Sequence, residues 1–195
     1  MNNERLSPEL EHHAEGFRQN RVLADQLCDP LAPAQLVWRP APERWSVAEC
    51  LLHLNVTAAL YLALVEPAIG RGRAKGLTGS GPYRTGWLSA WLLRAVQPNN
   101  GKRFTAPKRF RPPDGVLPDG ENIRRAFRDA GDRWQRCLRR ADGLDLVRVK
   151  VASPVSPLLR LDLGGALAVQ VAHERRHLEQ ARQVTLEQGF PDGVS

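Results

Sequence analysis

The 195-residue sequence predicts an all-α protein, an antiparallel-type four-helix bundle with a short extra helix and a long basic loop insertion. Three observations favour this class. Four long segments carry apolar residues at helical spacing, capping residues mark several of their starts, and connections rich in glycine and proline separate them. Hydrophobic residues make up 42% of the chain, which suffices for one buried core. We therefore expect a single domain over residues 1–195.

The first helix has a clear start. Ser7 supplies a hydroxyl cap and Pro8 a first-turn proline, and apolar residues then recur at helical spacing to about Asp29. The histidine pair at 12–13 lies in the early turns of this helix, where we expect it to face solvent. The proline-punctuated segment that follows predicts a connection with a short turn around 34–37.

A capping box marks the second helix. In WSVAEC, Ser46 is followed three residues later by Glu49, so we expect the helix to begin at Val47. Its residues are apolar on nearly all sides, which is typical of a helix in the centre of a bundle. Because proline lacks a backbone donor, the helix is predicted to end near Glu66 and Pro67.

The basic insertion covers roughly residues 70–115. Glycines and basic side chains predict a mobile loop over 70–86, and the apolar run WLSAWLLRAV predicts a short helix over 87–96. The proline-rich stretch after it predicts an extended connection that is either disordered or shaped around something, and we favour the second. Trp87 and Trp91 share one face of the short helix and either pack on the bundle or line a ligand opening; we favour packing.

Two further helices complete the bundle. A strongly amphipathic pattern predicts the third helix over 121–141, closed by Gly143. A short alternating piece at 147–151 predicts a strand-like arm, and Asp162 is placed to cap the last helix.

The last helix carries two histidines on its buried side. At roughly 100° per residue, His173 and His177 lie about 40° apart on an apolar arc. His53, in the middle of the second helix, also lies on an inward arc. An unpartnered buried polar nitrogen costs about 1–3 kcal/mol, so buried imidazoles need hydrogen-bond partners or a shared cation. Three imidazoles that converge inside the bundle predict a divalent metal site with positions open to water or substrate.

Two other interpretations of the histidines stay open. They could hydrogen-bond one another and nearby carboxylates as purely structural groups, with no metal. The bundle could also bind a metal, a small ligand or a partner without catalysis, in regulation or a stress response.

Two motifs in this order resemble the DinB-like superfamily of four-helix bundle proteins, in particular its DinB-2 type branch. They are WSVAECLLHL at 45–54 and HERRHLEQ at 173–180. The resemblance implies that His53, His173 and His177 bind nickel or zinc. It also implies a thiol S-transferase, a thiol-dependent isomerase or a metal-dependent hydrolase, and a dimeric assembly.

The predicted chemistry uses the metal ion as a Lewis acid that activates water or a low-molecular-weight thiol. Glu49, Gln170 and Gln180 lie close to the histidines in the sequence and are candidates to orient the imidazole rings. Glu174 is a candidate proton acceptor. We therefore expect a metal-dependent thiol transferase or hydrolase that acts on a small molecule, with a homodimer as the assembly.

The charge and composition of the chain limit the classes of partner that we expect it to bind. The net charge of +7 is spread along the chain and its clusters match no nucleic-acid-binding module, so we expect no nucleic-acid partner. The N-terminus lacks the apolar segment of a signal peptide, and no uninterrupted apolar run reaches the length of a membrane span. We expect a cytoplasmic protein without membrane contact. The three cysteines, Cys28, Cys50 and Cys137, are predicted to be free, buried thiols.

Overall fold

The computed structural model describes residues 6–97, 107–112, 119–156 and 158–192. In chain order its elements are α1 (Pro8–Cys28), α2 (Pro33–Val37), α3 (Val47–Ala74), α4 (Trp87–Val96), a 3₁₀ helix (Lys108–Phe110), α5 (Gly120–Ala141), β1 (Lys150–Ala152), β2 (Arg160–Asp162) and α6 (Leu163–Thr185). The all-α prediction is confirmed, because the described elements are helices apart from one two-stranded sheet.

Four long helices form the bundle, in which α1 and α3 each pack against both α5 and α6. The neighbours α3 and α5 run parallel, since Asn55 bonds the carbonyl of Ile123 and, further along both helices, Glu66 pairs with Arg133. Helices α1 and α6 run in the opposite direction to this pair. The predicted antiparallel arrangement therefore holds for only two of the four neighbouring pairs. The long connection between α3 and α5 allows this topology, because it returns the chain to the end where α3 began.

Helix α3 continues through Pro67 to Ala74, so the predicted end near Glu66 was wrong. The residues after the proline are buried: Ala68, Ile69 and Gly72 all lie in the core. A proline within a helix removes one hydrogen bond, and here burial of the following turns outweighs that loss.

The segment predicted as a mobile loop over 70–86 begins as part of α3 and is then tied to the chain that follows α5. Asp145 donates its backbone N–H to the carbonyl of Leu77 at 2.8 Å. Tyr83 donates its hydroxyl to the carbonyl of Leu144 at 2.9 Å. These hydrogen bonds pair backbone groups of the segment with the chain after α5. A glycine-rich sequence does not by itself indicate such pairing.

Strands β1 and β2 form an antiparallel hairpin in which Val151 lies opposite Leu161. The predicted strand-like arm is present but begins later than expected. The backbone N–H groups of Val147 and Arg148 bond the Asp145 carboxylate and form a turn, so strand pairing starts at Lys150.

Asp162 connects the hairpin, α6 and α4. As predicted, it caps α6, accepting the backbone N–H of Gly165 at 2.7 Å. Its other oxygen accepts the backbone N–H of Gly86 and the hydroxyl of Ser89, at 3.0 and 2.6 Å. These bonds fix the start of α4 against α6, and α4 then runs alongside that helix. The outer face of α4 carries Trp87 and Trp91 in exposed positions, so the predicted packing of these two tryptophans was wrong.

Most of the predicted extended connection, residues 98–106 and 113–118, lies outside the described residues. Its described part, residues 107–112, contains the 3₁₀ helix, which packs against α3 and buries the Phe110 side chain.

Buried polar side chains divide the core into two apolar clusters. One cluster surrounds Leu62 and Trp134, and the other surrounds Leu51 and Leu178 nearer the start of α3. Between them lies a set that we term the polar layer: Asn20, His53, Thr57, Gln170 and Glu174. Such groups cost free energy when buried without partners, so the polar layer is where a functional site is expected.

Among the described helices, only α3 is long and apolar enough to cross a membrane. Of its apolar 18-residue stretch, 56% is buried within the bundle. The three cysteines are free and buried, as predicted.

Candidate metal site

Three histidines from two helices meet beside the polar layer. His53 comes from α3, and His173 and His177 come from consecutive turns of α6. One potential ligand nitrogen from each ring can be chosen so that all three lie within 4.8 Å of one another. The structure therefore brings together the three residues that the helical periodicity placed on inward arcs.

The outer nitrogen of His53 is fixed by the basic insertion. Its Nδ1 lies 2.6 Å from the backbone carbonyl oxygen of Phe110. A carbonyl oxygen only accepts, so Nδ1 carries the proton and donates it. The Nε2 of His53 then bears a lone pair directed into the cluster.

His177 is held in the same way from its own helix. Its Nδ1 lies 3.0 Å from the side-chain oxygen of Gln180, one turn further along α6. Donation from Nδ1 leaves Nε2 with a lone pair. Gln180 thus contacts the ring of His177, and its role in orienting a metal ligand stays a prediction.

The Nε2 atom of His173 faces the Nε2 atom of His53 at 3.3 Å. The Nδ1 atom of His173 is buried and has no protein hydrogen-bond partner. Two imidazole nitrogens at about 2.0–2.1 Å from a tetrahedral zinc ion lie about 3.4 Å apart, close to the spacing found here. The donor set of three imidazoles also suits zinc or nickel. The residues present therefore fit a divalent cation.

All three histidines are kept neutral. Burial lowers the pKa of His53, partly offset by its bond to Phe110. Burial, followed by the charges of His177, His53 and Arg176, holds the pKa of His173 well below its usual range. Burial, followed by His53 and Arg176, lowers the pKa of His177 to about 3. The neutral imidazole is the form that binds metal ions, so the protein supplies the ligands already deprotonated.

An aromatic side chain and a cation border the cluster. The Trp45 ring lies 4.9 Å from the His53 ring and 5.9 Å from the His177 ring, between centroids. Arg176 donates to the carbonyls of Ala95 and Gln97 at the end of α4, at 3.0 and 3.4 Å. The site thus has an apolar side and a positively charged side.

The remaining predicted residues point elsewhere or lie beside the cluster. Glu49 closes the capping box of α3 and pairs with Arg39, so its carboxylate is engaged away from the imidazoles. Burial alone would raise the pKa of Glu49, and the hydrogen bonds from Arg39 and Ser46 lower it on balance. Gln170 is buried in the polar layer.

Glu174 faces α1. Its carboxyl accepts a hydrogen bond from Asn20 at 3.3 Å, and Asn20 also bonds the carbonyl of Val171 at 3.0 Å. Burial raises the pKa of Glu174 to about 8, against the effect of Asn20. A carboxyl that is neutral at pH 7 and directed at α1 does not match the predicted role of proton acceptor.

The sequence reasoning missed two contributors to the site. The Phe110 contact is made by a backbone atom inside a segment with no helical periodicity, so no residue pattern marks it. Arg176 lies between His173 and His177 in the sequence, so its nearness to the site could have been predicted. Its hydrogen bonds to the end of α4 could not, because they depend on tertiary packing.

The comparisons with known proteins give one match. The family profile described as the DinB superfamily matches residues 17–181, a range that contains all three histidines. Neither the curated proteins nor the solved structures gave a match.

Proposed function

The chain belongs to the DinB superfamily, and from that premise we propose that it is a metal-dependent enzyme whose three histidines bind one zinc or nickel ion. The metal ligands are His53, His173 and His177. The preferred reaction class is thiol S-transfer to a small-molecule electrophile, with hydrolysis as the alternative.

The approach of two imidazoles, the buried ring of His53 and the partly buried ring of His173, carries this proposal. The Nε2 atoms of His53 and His173 lie 3.3 Å apart, while the Nδ1 atom of His53 donates a hydrogen bond to the carbonyl of Phe110. At most one of the two facing nitrogens can donate to the other, and the outer nitrogen of His173 still lacks a partner. Without a cation, the one hydrogen bond between these nitrogens is donation from His173 Nε2 to the lone pair of His53; a cation between the rings would instead take the Nε2 lone pair of each ring.

A divalent cation at this position would lower the pKa of a coordinated water or thiol and so supply a nucleophile at neutral pH. The chain's own residues supply the rest. Phe110 and Gln180 orient two of the ligand rings, and Trp45 covers them on one side. Arg176 provides positive charge that favours an anionic substrate group beside the ligands.

The engaged carboxylates favour the thiol reaction over hydrolysis. Glu49 is paired with Arg39, and Glu174 is held by Asn20 on the far side of α6. A hydrolase normally uses a general base at the metal, whereas coordination alone deprotonates a thiol. An anionic low-molecular-weight thiol also suits the positive charge of Arg176.

Metal content tests the ligand set. Protein purified without an affinity tag and reconstituted with Zn²⁺ or Ni²⁺ should bind about one equivalent by elemental analysis. His173→Ala and His177→Ala should each bind much less under the same conditions. His12→Ala, on the exposed side of α1, is the matched control and should bind as wild type does. Less than about 0.1 equivalents in the wild type would overturn the proposed site.

Activity measurements separate the reaction classes. Wild-type protein loaded with each metal is assayed with a panel of thiols and electrophiles, and in parallel with esters and amides. Thiol-dependent consumption of an electrophile that is lost in His53→Ala supports the transferase. Hydrolysis without thiol dependence would replace it with the hydrolase, and metal binding without any turnover would favour a non-catalytic protein.

A further inference from the structure

The outer face of α4 presents two tryptophans to solvent. Trp87 is 83% exposed and Trp91 is 63% exposed, while Ser89, on the other side of the same helix, is buried. Arg94 follows at the spacing that continues this face and is also exposed. We name Trp87, Trp91 and Arg94 the tryptophan face. Tryptophan is normally well buried in a folded domain, so two exposed rings on one helix face require an explanation.

Aliphatic side chains are exposed on the neighbouring hairpin. Leu158 is 91% exposed, and Val155 and Leu159 are exposed as well. Asp162, at the base of this hairpin, binds the start of α4, and the carbonyl of Pro154 accepts a hydrogen bond from Arg109 of the 3₁₀ helix. Among the described residues, five of the eight large hydrophobic side chains with high exposure lie on α4 and this hairpin.

Exposed basic residues accompany these apolar groups along the chain. No Asp or Glu occurs between Glu66 and Asp114 in the sequence. The exposed basic residues in this part of the described chain include Arg84 before α4 and Arg109 and Arg111 at the 3₁₀ helix. Arg160 on β2, which follows Leu159 in the sequence, adds a further exposed cation. The part of the chain that carries these exposed apolar groups is therefore also rich in exposed cations.

We propose that the tryptophan face, together with the exposed side chains of Val155, Leu158 and Leu159, docks on an anionic lipid bilayer. Tryptophan favours the headgroup level of a bilayer, where its ring is partly apolar and its N–H stays hydrated. Arginines beside it are attracted to anionic headgroups. A ten-residue helix is about 15 Å long and cannot span the roughly 30 Å hydrocarbon region, so α4 lies on the surface.

The aliphatic residues favour lipid over nucleic acid. A single-stranded nucleic acid would use aromatic rings for stacking, but exposed leucine and valine offer it no comparable contact. A bilayer accommodates both kinds of side chain. The earlier expectation of no membrane contact rested on the lack of a spanning segment, which a docking face of this kind does not need. Because Arg176 of α6 donates a hydrogen bond to the carbonyl of Ala95 near the end of α4, docking would also hold the histidine cluster near the lipid surface.

Vesicle binding tests this proposal on the full chain. Co-sedimentation is measured with vesicles of equal parts phosphatidylglycerol and phosphatidylcholine, and with phosphatidylcholine alone. Wild type should bind the anionic vesicles in a salt-sensitive way, and Trp87→Ser/Trp91→Ser should bind them about tenfold or more weakly. The control Val22→Ser/Leu186→Ser replaces exposed apolar residues on α1 and after α6 and should bind as wild type does.

A charge pair gives an independent test. Arg84→Gln/Arg94→Gln should reduce binding to anionic vesicles, while the control Arg136→Gln/Arg139→Gln on α5 removes the same charge and should have much less effect. Equal binding to neutral and anionic vesicles would overturn the proposal. So would binding of a single-stranded oligonucleotide in preference to vesicles, or a dimer that dissociates in the tryptophan variant while the wild type ignores vesicles.

Discussion

Replacement of Glu174 by glutamine is expected to change how the stability of the protein depends on pH. The carboxyl is buried between α6 and α1, where it accepts a hydrogen bond from Asn20. Burial raises its pKa from an ordinary value of 4.5 to about 8. The folded protein therefore keeps this group neutral at pH 7, whereas the unfolded chain ionises it.

The sign and size of the effect follow from these two pKa values. An acid with a raised pKa in the folded state contributes its full stability below the unfolded pKa and loses it as pH rises through the folded pKa. For Glu174 the loss reaches about 3 kcal/mol by pH 7 and about 5 kcal/mol by pH 9, relative to pH 4. Glutamine does not titrate, so the stability of Glu174→Gln relative to wild type should rise by these amounts.

Urea unfolding at several pH values measures the difference. Both proteins are kept in EDTA, because a bound cation would add charge next to Glu174. The same substitution at Glu179, on the solvent side of α6, is the matched control. If the difference in unfolding free energy between Glu174→Gln and wild type stays constant within about 0.5 kcal/mol from pH 4 to pH 9, Glu174 is not a neutral buried acid and the reasoning is refuted.

Three further changes have defined outcomes. Gln180→Leu should weaken zinc binding about 10- to 100-fold, measured by calorimetric titration, because His177 loses the acceptor that orients its ring; unchanged affinity would contradict that role. Gly165→Ala should lower the unfolding free energy by about 1–3 kcal/mol, since the added Cβ would lie 2.2 Å from the Cβ of Ser89, and a neutral result in urea would show that α4 yields at this contact. Leu62→Ala should cost about 2–5 kcal/mol in the same assay because the side chain is fully buried; a loss under about 1 kcal/mol would mean that the core is looser there than described.

Helical periodicity was sufficient to predict the histidine cluster. In a bundle, each long helix directs one arc inward, and His53, His173 and His177 all fall on such arcs. The capping box at Ser46 fixed the start of α3 and with it the rotational position of His53. The same box explains why Glu49 does not reach His53, because its carboxylate closes the cap.

Features that depend on tertiary packing were not predicted. The local stop signal at Pro67 was outweighed by burial of the residues after it, which only the assembled core reveals. The amphipathic pattern of α4 indicated a helix but not which side would be covered, so Trp87 was assigned to packing. The parallel alignment of α3 and α5 follows from a long connection whose path has no periodic signal.

The hydrogen bond that His53 donates to the carbonyl oxygen of Phe110 has a consequence for how such sites change between related chains. A main-chain oxygen is common to every amino acid, so the acceptor itself does not depend on the side chain at position 110, whereas its position depends on the buried Phe110 ring and on the lengths of the connections on either side. We therefore expect insertions and deletions in this segment to disturb the bond more than exposed substitutions do. In related chains, gaps in this region would report a remodelled centre more faithfully than substitutions do.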